Sequence, residues 1–84
     1  RLIRLVVEAD REELDLFERD FPSRVNGIDR LYPRTYNAGL AVYEAQSRNA
    51  AFQVARELSE KGLDGLDVEI LQVSLNTLKL QLSD

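Results

Sequence analysis

An α+β sandwich of βαββαβ order, with one further C-terminal strand, is the fold class this sequence predicts. Three observations lead there: β-branched apolar runs alternate with two amphipathic helical stretches, turn residues mark each junction, and the first half of the pattern recurs in the second. Glu8-Ala9 recurs as Glu44-Ala45, and Arg11…Leu14…Phe17…Arg19-Asp20-Phe21 recurs as Arg48…Ala51…Val54…Arg56-Glu57-Leu58. Val25-Asn-Gly-Ile-Asp29 recurs as Leu63-Asp-Gly-Leu-Asp67. Two strand–helix–strand halves in series, about 1–36 and 37–75, with a strand at 78–82, therefore fill one domain spanning 1–84. Right-handed crossovers would set both helices on one face of an antiparallel sheet, which is the ferredoxin-like sandwich.

Each element has its own signal. Arg1-Leu-Ile-Arg-Leu-Val-Val-Glu-Ala9 is a strand by its β-branched, apolar content. Asp10 with Glu13 three residues on is a capping box, and Leu14, Phe17 and Phe21 line one face of the helix it opens. Pro22 and Asn26-Gly27 are expected to end that helix. Ile28 to Tyr36 reads as a second strand, an edge or bulged strand because Pro33 has no amide to donate. Asn37-Ala38-Gly39 turns into a third strand, Leu40 to Ala45.

Ser47 is expected to cap a second helix, whose stripe is Ala51, Val54, Ala55 and Leu58, with Gly62 at its C-terminal end. Leu66, Val68 and Ile70 alternate as a fourth strand, then slip by one residue to Leu71, Val73 and Leu75, the mark of a bulge. Leu78, Leu80 and Leu82 form the last strand.

Composition narrows the chemistry. The 84 residues include no Cys, His, Met or Trp, and 15 acids outnumber 11 cations for a net charge of −4. Without Cys or His there is no disulfide, thiolate metal site, imidazole base or Ser-His-Asp arrangement. No apolar run is long enough to cross a membrane as a helix, so no membrane insertion is expected of this segment. A chain beginning at Arg1 rather than Met is expected to be a piece of a longer protein. Asp10, Glu12, Glu13, Asp15, Glu18 and Asp20 cluster in the first helix, without the spacing of a calcium loop, and read as a solvated face. No catalytic, cofactor or metal residue is assigned, and the chain is expected not to be an enzyme. The four glycines fall at turns and caps rather than in a phosphate loop.

The surface left open by one-sided helix packing is the candidate site. The register Ile3, Leu5, Val7, Ala9, with Ala41, Tyr43 and Ala45, is assigned to the helix side. Leu2, Val6, Leu40 and Val42 then remain on the open side as a contiguous apolar patch, a docking surface for a second copy or a neighbouring domain. Tyr32, Arg34 and Tyr36 alternate onto one face of the second strand and are the anchor residues expected of such an interface. The same Tyr/Arg interleaving raises RNA recognition, but the third strand carries Leu40, Val42 and Ala45 where a stacking platform needs aromatics. No nucleic-acid partner is expected, and the expected partner is protein.

Two family resemblances add to this reading. Asp10-Arg11 after an apolar strand, with Val25-Asn-Gly-Ile28 leading into the next, resembles an ACT-type regulatory domain. That resemblance implies a small polar ligand near Ala9–Glu13; Glu12-Glu13 stand where the family's Pro-Gly would be, so no binding residues are carried over. From about Val25 to Leu82, the run VNGIDRLYPRTYNAGLAVYEAQ and the following helix and strands are similar to small ferredoxin-like modules of bacterial envelope proteins, the flagellar assembly protein T type among them. This likeness implies a scaffold module in the periplasm or cell envelope, with protein partners and no cofactor.

Overall fold

Alternating residues of three consecutive-neighbour strands supply the sheet side of one core. The computed structural model describes all residues, Arg1–Asp84. Its order is β1 (Leu2–Glu8), α1 (Arg11–Arg24), β2 (Ile28–Asn37), β3 (Leu40–Ser47), α2 (Ala51–Lys61), β4 (Asp67–Val73) and β5 (Thr77–Ser83). This is the ferredoxin-like α+β arrangement with an added strand. Ile3, Leu5, Val7 and Ala9 are buried, as are Ala41, Tyr43 and Ala45 opposite them and Leu78, Leu80 and Leu82 beyond. Both helices close this side through Leu14, Phe17 and Phe21 of α1 and Ala51, Val54, Ala55 and Leu58 of α2. Phe17 stacks on Phe21 at 4.8 Å and tilts against Tyr43 at 5.4 Å, an aromatic centre that fixes α1 over β3.

The sheet is mixed rather than antiparallel. Its order is β2-β3-β1-β5-β4, with β5 parallel to β1 and every other pair antiparallel. β5 thus takes the place beside β1 that the fourth strand holds in a plain βαββαβ sheet, and β4 is displaced to the edge. Burial explains the choice. Leu78, Leu80 and Leu82 bury almost completely, whereas β4 offers the half-buried Val68 and Ile70 on the same side. The inner slot, covered by neighbours on both flanks, goes to the strand with more apolar surface to hide. The Arg4 amide, bonded to the Asn76 carbonyl at 2.8 Å, ties the β4–β5 hairpin to β1. The two halves therefore differ where the sequence repeat would equate them: the first crossover passes one strand, the second passes β1 and β5.

Local signals explain most boundaries. Asp10 accepts from the Glu13 amide at 2.9 Å while Glu13 accepts from the Asp10 amide at 2.8 Å, so the capping box is complete. α1 runs through Pro22 to Arg24, beyond the expected stop. The proline costs one helical bond near the end of the helix, and the buried Phe21 and Val25 on either side hold the last turn against the core. Ser47 does not cap α2. It ends β3, buried, with its hydroxyl donating to the Asn49 carbonyl and accepting from the Asn49 amide. The N-cap is Ala50, whose amide donates to the Gln53 side chain. At the β2–β3 turn Ala38 and Gly39 both have positive φ, 53° and 80°, as a two-residue hairpin of primed type requires.

Candidate interaction surface

Cross-strand register lays out the side opposite the helices row by row. At the end where β1 begins, Leu2 faces Gln46, which faces Arg30. The next row is Tyr32, Glu44, Arg4 and Thr77. The middle row is Thr35, Val42, Val6, Lys79 and Gln72. Beyond it come Asn37, Leu40, Glu8, Gln81 and Glu69, and finally Ser83 with Asp67. No helix lies over these rows.

The apolar residues do not form the single patch expected. Val6 and Val42 are direct partners, half-buried, with Leu40 40% exposed one row on. Leu2 stands two rows away, with Arg4 and Glu44 between it and the valines. The cause is the pleat: residues on one face of β1 recur every second position, and Arg4 occupies the position between Leu2 and Val6.

Charge is sorted across the face. Arg30, Arg34 and Arg4 lie toward the β2 corner at the end where β1 begins, and Glu8, Glu69 and Asp67 lie toward the β4 corner at the other end. Arg34 bonds Glu44 at 2.6 Å and stacks over the Tyr32 ring at 5.1 Å. Lys79 approaches Glu8 at 3.8 Å. The result is a mixed, dipolar face with a small apolar centre.

Tyr32, Arg34 and Tyr36 are not on one face. A register shift between Pro33 and Thr35 breaks the alternation, so Tyr32 stays opposite Glu44 on the open side while Tyr36 faces Ala41 on the helix side. Tyr36 there carries the Arg11 guanidinium over its ring at 5.3 Å. Together they line a shallow cleft of about 210 Å³ with Leu14, Glu18 and Tyr43. Tyr43 donates to Glu18 at 2.7 Å; burial first, then the Glu18 carboxylate, push its phenol well above the usual tyrosine range.

The acidic cluster of α1 is dispersed by its contacts. Asp10 and Glu13 cap the helix, Glu18 accepts from Tyr43, and Asp20 pairs with Arg19. The turn Ala9–Glu13, where the regulatory-domain resemblance put a ligand, thus has both cap carboxylates engaged with backbone amides. Of the RNA-platform positions, Ala45 is buried on the helix side, leaving Tyr32 as the aromatic on the open face. Sequence reasoning missed Lys79, Glu69 and Asp67 as members of the face, because it left the order of the last two strands open; the denser leucine alternation at 78–82 was the available signal. In searches of family models, curated proteins and solved structures, no match to this chain was found.

Proposed function

We propose that the chain is a non-enzymatic protein-assembly module whose open sheet face docks a second copy of itself. The observation that carries the reading is the distribution of charge around the Val6–Val42 pair. Arg4, Arg30 and Arg34 gather at one corner around the single carboxylate of Glu44; Glu8, Glu69 and Asp67 gather at the other, and the valines sit between. A two-fold axis in the plane of the face, passing between the corners, brings each arginine corner onto the partner's acidic corner and stacks the valine pairs at the centre. Such self-complementarity is what an isologous dimer needs. The molecule measures 28 × 24 × 21 Å. Its broad face therefore has a footprint on the order of 600 Å², close to the ~800 Å² per partner of a standard interface.

Sedimentation velocity on the wild-type chain and on Val42→Asp tests this. The expected result is a dimer that loosens with added salt and a folded, monomeric variant, since one buried carboxylate per copy would face its like at the axis. A wild-type chain that stays monomeric at about 1 mM, a concentration that detects even weak pairing, overturns the reading.

A further inference from the structure

The sheet has two free edges, and they are built differently. β2 carries Pro33, two register shifts and Arg34 tied to Glu44, all of which disfavour a further strand. β4 contains no proline and keeps a regular register from Asp67 to Ile70 before its one shift. Its outward amides and carbonyls have no strand beside them.

Side chains along this edge sort by face. Val68, Ile70 and Val73 lie on the helix side, opposite Leu82, Leu80 and Leu78, and the bulge leaves Leu71 exposed between them. Phe52, 57% exposed, sits on the flank of α2 away from Glu57, whose carboxylate accepts from the Asn26 amide on the α1 side. Helix α2 packs against β4, and Phe52 in its first turn lies toward the Val73 end of that strand rather than the Asp67 end. On the open side of the same edge stand Asp67 and Glu69, opposite Ser83 and Gln81, with no cation in salt-bridge range.

The geometry points to β4 as the acceptor for an extended segment of another protein, added as a sixth strand. Its backbone bonds the free edge from Asp67 to Ile70; alternate side chains are basic toward Asp67 and Glu69 and apolar toward Val68 and Ile70. The alternation follows from the pleat, and the charge from the unpaired carboxylates. A second copy does not meet the requirement: its β4 brings its own acids, and its β2 brings Pro33. This surface uses the free edge of β4 rather than the valines, but it shares Asp67 and Glu69 with the acidic corner of the valine-centred face, so peptide and second copy compete for those two carboxylates.

The test uses fluorescence anisotropy with a labelled, end-blocked peptide of three Lys-Val repeats. Saturable binding is expected, weakened about tenfold or more in Asp67→Lys/Glu69→Lys, a variant that instead takes the matching Glu-Val peptide. Methylating alternate peptide amides should abolish binding, because the ladder is then blocked. Val42→Asp, in which self-association no longer competes for Asp67 and Glu69, should bind the peptide at least as tightly as wild type does. Failure to bind at about 1 mM peptide overturns the proposal. So does binding that survives amide methylation, since attraction to a chain of net charge −4 would then account for it.

Discussion

The two faces of β1 alternate along the same seven residues, yet they do opposite work. Ile3, Leu5 and Val7 are at most 1% exposed, clamped between the neighbouring strands and the helices. Arg4, Val6 and Glu8 lie one residue away and look onto a face that no helix covers. Nothing in the backbone separates the two sets; the pleat alone does. The helix side is specified by volume and apolarity, the open side by charge order around a small apolar centre. The first kind of specification holds the molecule together. The second is what the proposed self-association would read.

Substitutions on the two faces sharpen the contrast, and the largest effect belongs to the core. Leu5→Ala should cost roughly 3 kcal/mol in chemical denaturation, because it empties a site with no exposed surface. Val6→Ala, next along the chain, should cost about 1 kcal/mol or less, since that side chain is already partly exposed. Equal losses at the two positions would erase the distinction.

Tyr43→Phe comes next, at about 1 kcal/mol, through the bond to Glu18. It also carries a pH signature. The native phenol titrates above its unfolded value, so the native state keeps a proton that the unfolded chain releases. Its contribution is present below about pH 10 and is lost as pH rises above that. Wild-type stability should fall across this alkaline range more steeply than that of Tyr43→Phe. Parallel curves would deny the buried hydroxyl its role.

The smallest effect is on the open face. Arg34→Ala breaks an ion pair whose side chains are 50% and 30% exposed, and should change monomer stability by no more than about 0.5 kcal/mol. Its mark should appear in self-association instead.

Much of the helix side was legible from sequence. The Asp10–Glu13 box, the stripe Leu14, Phe17, Phe21, and the slip after Ile70 are local signals, and local physics decides them. Three features were decided elsewhere. Pro22 sits inside α1 because Phe21 and Val25 are held by the core, which no helix-stop rule sees. Tyr36 crosses to the helix side because a bulge beside Pro33 resets the alternation; the proline announced an irregularity but not its consequence for later residues. β5 displaces β4 outward to the edge through competition between two apolar strands for one inner slot, a comparison of burial across the whole sheet. The open face inherits all three uncertainties, since its membership depends on register and strand order. That is why the geometry of the candidate surface was only partly readable: Val6, Val42 and Leu40 lie together on the open face, Leu2 lies on it two rows away, Tyr36 lies on the helix side, and Lys79, Glu69 and Asp67 went unseen.

Amide chemical shifts followed by NMR through a dilution series, from about 1 mM downward, test most directly that the open face is the assembly surface. Concentration-dependent shifts should gather on Val6, Val42, Leu40 and the flanking Arg4 and Glu8, with α1 and α2 unmoved. Shifts confined to the helices, or none at all, would contradict it.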